Sequence, residues 1–397
     1  MNPIEQKIKE KKLAALRSVM KSLAKETKDD NIIQILGEKP LQTVERIPTG
    51  YITLDVATGG GVARGRLHEL FGPESAGKSL VAQKVIASAQ KLNCLCAYVD
   101  MEQTFDPMFA QKLGIMTDEL IISQPASFQQ AAKVIDGLID ADIDLIVVDS
   151  VAAMVPEEEL DAEVGKQNVG LIARHMSQLL RRINSKIART HSAVLFINQM
   201  RDAINAYGNP DTTPGGRALK FYSSIRMKVS KNADGVFKER KGGEEIAVGQ
   251  GIRVRVVKNK TAPPFQVAEF PVYFDGRKTD EIDQIATIAL AKGLLPKYNS
   301  KGELSETGRT YKWDSCPEFI ASSKKDVAVQ LHEFPQVAEE LKQIILSGDY
   351  EGKQFKCSDD PDDELTDEEF EEKMRRDIKE AEENEAEEIV EGDWEDL

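Results

Sequence analysis

Cysteine is scarce, and four residues in 397 cannot supply the disulfide framework of a small secreted domain. Two of them, Cys94 and Cys96, alternate within an apolar run, which is the spacing of buried strand residues rather than of metal or redox ligands. Histidine is equally scarce: His68, His175, His191 and His332 are scattered without ligand spacing. No apolar stretch approaches the roughly 18 residues needed to cross a bilayer. The lysine-rich start, residues 1–12, lacks the apolar core of a signal peptide. No repeat is present. These absences make a cytoplasmic chain without a membrane partner the expectation. A positive net charge is missing too, for 52 Lys and Arg face 67 Asp and Glu, a balance of −15 that argues at first against nucleic acid. The acidity is local. Residues 358–397 carry 21 acidic and 4 basic groups, so the first 357 residues hold 46 acidic and 48 basic groups and are slightly positive.

What is present reads as an α/β chain. Ile4, Ile8, Leu16, Met20 and Leu23 lie at helical spacing among lysines, an arm with one sticky stripe. From Arg66 onward, short apolar runs (67–71, 94–100, 120–123, 143–149 and 193–198) alternate with helical segments (80–91, 127–139 and 171–187). That alternation predicts a mostly parallel central sheet covered on both faces. After Gly216, period-two patterns in Ile225–Val229, Ile252–Val256 and Phe270–Phe274 predict antiparallel additions to the sheet. A small α/β unit follows, with helices near 279–292 and 336–346. The expected organisation is an arm (1–39), a core (40–278), a small C-terminal domain (279–357) and a disordered acidic tail (358–397).

Gly72-Pro73-Glu74-Ser75-Ala76-Gly77-Lys78-Ser79 fits the phosphate-loop pattern, which arises by chance in roughly one or two chains of this length per hundred. It follows a strand and opens a helix, where backbone N–H groups converge on phosphate. Lys78 then meets the β and γ phosphates, and the Ser79 hydroxyl ligates Mg²⁺. Asp149 closes the buried run 143–149, at the strand end facing the ligand crevice, and becomes a Walker B acid once paired with the loop. Glu102 is the preferred group to activate the attacking water, with Asp100 as its rival. Asn198 and Gln199 end the next strand, ahead of a Gly/Asn/Pro/Thr-rich stretch of about fifteen residues, a length that is usually functional in a compact domain.

Over roughly residues 1–274 the chain resembles the bacterial RecA recombinase family. The resemblance rests on Pro48–Asp55, the phosphate loop, Val99-Asp-Met-Glu102 with Phe105-Asp-Pro107, Asp149–Ala153, Phe196–Arg201, Gly208–Gly216, Ala218–Tyr222 and Val256–Lys260. It implies a RecA-type P-loop NTPase core and an ATP- and Mg²⁺-dependent, DNA-stimulated ATPase. Such a protein forms a helical homo-oligomeric filament on single-stranded DNA, pairs it with double-stranded DNA and exchanges strands in recombination, repair and the SOS response to DNA damage. Single-strand-binding or loading proteins are further partners it leaves open. By the same resemblance Glu102 matches the catalytic glutamate, Gln199 the γ-phosphate sensor, and Phe109 an aromatic stacked near adenine. Lys258 and Lys260 match lysines that reach the neighbouring subunit's nucleotide. Val169 and Ile204 match apolar wedges in two DNA-binding loops, the second of which ends at Gly215 and Gly216. Independently of the resemblance, Arg174, Arg181, Arg182, Arg201, Arg217 and Arg226 flank both loops and are expected to track DNA phosphates. Lys220 and Phe221 match the surface that receives a neighbour's arm, to which Ile8 belongs.

The match has departures. Ser79 stands where the family commonly has Thr, the second loop is about a residue shorter and less basic, and similarity weakens beyond Thr279. A hexameric helicase motor on the same core and a nucleotide-gated scaffold without strand exchange stay open as alternatives. The −17 tail is expected to compete with DNA for the basic body as an electrostatic brake, with its tip, 391–397, an alternative partner-docking peptide.

Overall fold

The computed structural model describes residues 3–28, 32–33, 35, 44–160, 170–202, 211–212, 214–241, 244–277, 279–303 and 308–348. The chain divides into residues 1–45 and the remainder. In the first unit, helix α1 (Pro3–Thr27) exposes Ile8, Leu16 and Val19. The acidic tail and its tip lie outside the described residues.

The second unit opens with β1 (Arg46–Ile47), α2 (Ile52–Thr58) and β2 (Val62–Ala63). The expected alternation follows as β3 (Leu67–Gly72), α3 (Lys78–Gln90), β4 (Cys96–Asp100), α4 (Pro107–Lys112), β5 (Leu120–Ser123), α5 (Phe128–Asp140) and β6 (Leu145–Asp149). It continues through α6 (Glu157–Leu160), α7 (Leu171–Thr190) and β7 (Ala193–Gln199). The short strands β8 (Arg201–Asp202) and β9 (Asp211–Thr212) pair with each other, and α8 (Arg217–Tyr222) leads into β10 (Ile225–Lys241), β11 (Glu244–Asn259) and β12 (Val267–Tyr273). The remaining elements are α9 (Glu281–Ala291), β13 (Lys297–Tyr298), β14 (Thr310–Trp313), β15 (Cys316–Ala321), α10 (Lys324–Glu333) and α11 (Pro335–Ser347).

The central sheet runs β12-β11-β10-β3-β7-β6-β4-β5. All pairs from β10 to β5 are parallel, and β11 and β12 extend it antiparallel, as the alternating patterns predict. Strands β3, β4 and β6 are buried along their whole length because helices cover both faces. On one face Val81, Val85 and Ile86 of α3 pack on Leu70, Tyr98, Val147 and Ile197. On the other, Ile135, Ile139, Leu180 and Ile183 pack on Leu67, Val99, Val148 and Phe196. Each such buried side chain contributes ~1.5–3 kcal/mol of hydrophobic stabilisation.

A third core joins α9, α10, α11, β14 and β15 around Phe319, Leu331 and Leu341, and Ile52 of α2 is part of it. Two features were not legible in the sequence. Helix α10 buries only Val327 and Leu331, too narrow a stripe to stand out among its charges. The β10–β11 hairpin runs on to the pair Lys241–Glu244, past the alternating segments, with Val236 and Ile246 exposed. Its outer part is held by the Phe237 ring on Tyr273, 6.2 Å between centroids, and by a 2.5 Å Arg277–Glu239 ion pair.

Candidate nucleotide site

The carboxyl ends of β3, β4, β6 and β7 meet at one edge of the sheet, and the predicted site residues of the phosphate loop and its neighbours gather there. Gly72 ends β3, and a Cβ on it would lie 2.1 Å from the Val229 carbonyl oxygen, so glycine is required by close packing. Gly77, at φ +90, caps α3 and faces Ile252, whose Cδ1 lies 2.5 Å from where a Cβ would be. Gln250 Nε2 of β11 donates to the Ser75 carbonyl at 3.4 Å and braces the loop; Pro73, Glu74 and Ser75 are exposed, and Ala76 is buried. Lys78 folds back, donating from Nζ to the carbonyls of Gly72 (3.1 Å) and Pro73 (2.5 Å). Burial lowers its pKa, opposed by Asp149, Glu102 and Glu74.

Asp149 is buried beside this helix start. Tyr98 donates its hydroxyl to Asp149 Oδ2 at 2.6 Å, and Ser79 lies near the same carboxylate. Burial raises the pKa of Asp149, and Tyr98 and Ser79 oppose the rise. Burial also drives Tyr98 well above the usual phenol range, with Asp149 adding to it. Register sets this up, because Asp100 pairs with Asp149 and Tyr98 lies one pleat before Asp100 on the same face of β4.

The two candidates for water activation, Glu102 and Asp100, differ in exposure. Glu102 is exposed, and its Oε1 accepts from Ser150 Oγ (2.6 Å) and Gln199 Nε2 (3.1 Å). Asp100 is 1 % exposed and its Oδ2 is taken by the Phe105 amide (3.1 Å) and Gln124 Nε2 (3.0 Å), so it shapes the turn after β4. Phe109 lies half-buried on α4, which Asp106 caps by accepting the Met108 and Phe109 amides.

Beyond β7, Arg174 and Arg181 are exposed on α7, and Arg217 is exposed at the start of α8. Arg201 lies in β8. Gly215 and Gly216 take φ of +86 and +71 and pack close to Val151 and Ala173, so they form the tight turn into α8. Val169 and Ile204 lie outside the described residues. Arg226 departs from the expectation that it tracks DNA phosphates. Its Nε donates to Glu69 Oε2 at 2.6 Å and its guanidinium stacks 4.5 Å over Phe71, because Arg226 pairs with the fully buried Glu69 across β3 and β10. Its side chain is only 13 % exposed and is committed to that ion pair.

Phe221 is 69 % exposed. Lys258 Nζ donates to the carbonyls of Lys220 (2.6 Å) and Phe221 (3.1 Å), capping α8, and burial lowers its pKa, with Lys260 and Arg226 adding to the fall. The Lys260 side chain is exposed. Sequence reasoning did not single out Tyr98, Ser150 or Glu69. Strand alternation back from Asp100 would have found Tyr98, whereas Ser150 and Glu69 acquire their partners only through the fold.

A Gly-rich turn with a surface lysine would have no need to set a folded-back lysine beside a buried acid at the end of a neighbouring strand. That pairing, on the carboxyl edge of a parallel sheet, defines a nucleotide-binding P-loop ATPase. Residues 14–277 match the family model described as RecA N-terminal domain. Protein RecA of Thermus thermophilus is 43% identical over 341 residues, covering 85% of this chain and 95% of that protein. Protein RecA of Heliobacterium modesticaldum is 40% identical over 337 residues, covering 84% and 92%. Protein RecA of Gloeobacter violaceus is 40% identical over 365 residues, covering 90% and 94%. The chain belongs to the RecA family, the ATP-dependent recombinases of DNA recombination and repair. Among the described residues no helix is long and apolar enough to cross a membrane.

Proposed function

We propose that this chain hydrolyses ATP with Mg²⁺ in response to single-stranded DNA, and couples nucleotide state to a filament that pairs that strand with duplex. The donor set fits the metal, since Ser79 supplies a hydroxyl and Asp149 a carboxylate at the start of α3. Bound there, Mg²⁺ would supply neutralising charge to the phosphates. Lys78 exchanges its two loop carbonyls for phosphate oxygens, which its retained charge favours. Glu102, oriented by Ser150, takes the proton of the attacking water. Phe109 offers a face to adenine, the exposed Lys260 reaches the neighbour's nucleotide in the filament, and Lys258 does so on releasing the two carbonyls at the end of α8. Ile8 of the arm packs near Lys220 and Phe221 of an adjoining copy.

The DNA-facing roles fall to the exposed Arg174, Arg181 and Arg217, to Arg201, and to the turn at Gly215 and Gly216. Val169 and Ile204 serve as wedges. Base pairing supplies the sequence recognition, so backbone contacts suffice from the protein.

One observation carries the reading: Gln199 Nε2 donates to Glu102 Oε1 at 3.1 Å, joining the strand that enters the second loop to the group that would activate water. The test is Glu102→Gln. It should lower DNA-stimulated hydrolysis by about 10²–10⁴-fold while ATP still promotes tight binding of single-stranded DNA. Hydrolysis at the wild-type rate would refute the assignment.

A further inference from the structure

The end of β7 carries polar side chains on both faces of the sheet. Leu195 and Ile197 belong to the core under α3, and Phe196 to the core under α7 and α8. Alternation therefore turns Gln199 toward the nucleotide and Asn198 toward the other side. Asn198 is fully buried and every polar atom of its side chain is used. Nδ2 donates to Glu69 Oε1 and to the Pro214 carbonyl, both at 3.1 Å, and Oδ1 accepts the Gln199 amide at 3.0 Å. Glu69, also fully buried, completes its set with Arg226, whose guanidinium rests on Phe71, the residue before the phosphate loop.

A carboxylate removed from water is costly to bury even when paired, and apolar residues of the same volume often serve stability as well or better. The polar arrangement supplies direction instead. The Asn198 amide meets Glu69 and Pro214 together in one orientation only, and Pro214 leads directly into the Gly215–Gly216 turn and α8.

We propose that Glu69 and Asn198 are positioning residues that tie Gln199 to the Pro214–Gly216 turn, so that nucleotide contact on one face of the sheet resets the DNA-facing turn on the other. The proposal rests on the reading of Gln199 as the nucleotide sensor.

The test uses the full chain and one quantity, the ratio of affinities for a fluorescein-labelled oligo-dT strand with and without a non-hydrolysable ATP analogue, alongside thermal melting. Two double variants, Glu69→Met/Arg226→Met and Glu69→Gln/Arg226→Met, both remove the buried charges, and only the second keeps a carbonyl acceptor for Asn198. The Gln variant should hold the wild-type ratio and the Met variant should lose about tenfold, within the usual range of allosteric coupling. Asn198→Ala should behave like the Met variant and carries the test alone if the double variants do not fold. Equal ratios in the two double variants, or an unchanged ratio in Asn198→Ala, would overturn the proposal even if melting temperatures shift. Gln199→Ala separates the two levels. If it leaves the ratio intact, the sensor reading itself fails and this proposal with it; if it abolishes the ratio while Asn198→Ala does not, only the coupling through Asn198 and Glu69 is wrong.

Discussion

Replacing Tyr98 with Phe removes one oxygen atom and leaves the ring, which packs 5.0 Å from Phe105, in place. The lost group is the 2.6 Å donor to Asp149 Oδ2. A hydrogen bond to a charged acceptor contributes about 1.5–3 kcal/mol, so the ionised, correctly aimed form of Asp149 is disfavoured by about that much, and Ser79 alone remains to oppose burial. At about 1.4 kcal/mol per decade, the Mg²⁺ concentration for half-maximal ATP hydrolysis should rise about 10–100-fold, with the maximal rate at saturating Mg²⁺ largely recovered. Burial already raises the pKa of Asp149, and losing the donor raises it further. Protons therefore compete with Mg²⁺ more strongly as pH falls, and the gap between variant and wild type should widen toward acid. Mg²⁺ titrations of the hydrolysis rate at several pH values measure both effects. Superimposable titrations for the two proteins would refute the claim that Tyr98 holds the metal-binding carboxylate.

Other consequences follow from neighbouring contacts. Ser150→Ala takes the 2.6 Å donor from Glu102 and should lower kcat about tenfold with little change in KM for ATP, as steady-state kinetics would report. Gly216→Ala places a Cβ 2.7 Å from the Ala173 Cβ at a φ of +71, so the variant should lose roughly 1–3 kcal/mol in thermal or denaturant unfolding. Asp55 accepts the Thr49 amide at 2.6 Å, yet burial raises its pKa to about 6 from 3.8. Because the folded chain holds this proton more tightly, its contribution favours folding below about pH 4 and is lost as pH rises through about 6, a change of ~3 kcal/mol. Asp55→Asn should therefore gain stability relative to wild type between pH 4.5 and 7 in melting experiments; a constant difference would contradict the assignment.

Much of the site was legible because its residues are adjacent in sequence or end recognisable strands. The phosphate loop is contiguous, and Asp149, Glu102 and Gln199 each close or follow an apolar run whose parallel pairing brings the strand ends to one edge. What escaped depends on contacts between distant segments. Arg226 reads as a free surface base in an alternating strand, and only the register of β10 beside β3 shows Glu69 waiting across from it. Lys258 likewise looks exposed in sequence, while the fold sets its ammonium on the carbonyls ending α8. At the tip of the β10–β11 hairpin Lys238–Lys241 and Glu244–Glu245 are all charged, so no apolar alternation marks that end as strand.

The central claim is that nucleotide chemistry at Lys78, Asp149 and Glu102 is coupled to DNA through Gln199. Steady-state ATP hydrolysis by the wild-type chain and by Lys78→Ala, each with and without single-stranded DNA, tests it most directly. Hydrolysis that rises with DNA in the wild type and is absent in the variant is the predicted result. A rate indifferent to DNA, or DNA-stimulated hydrolysis that survives loss of Lys78, would contradict the account.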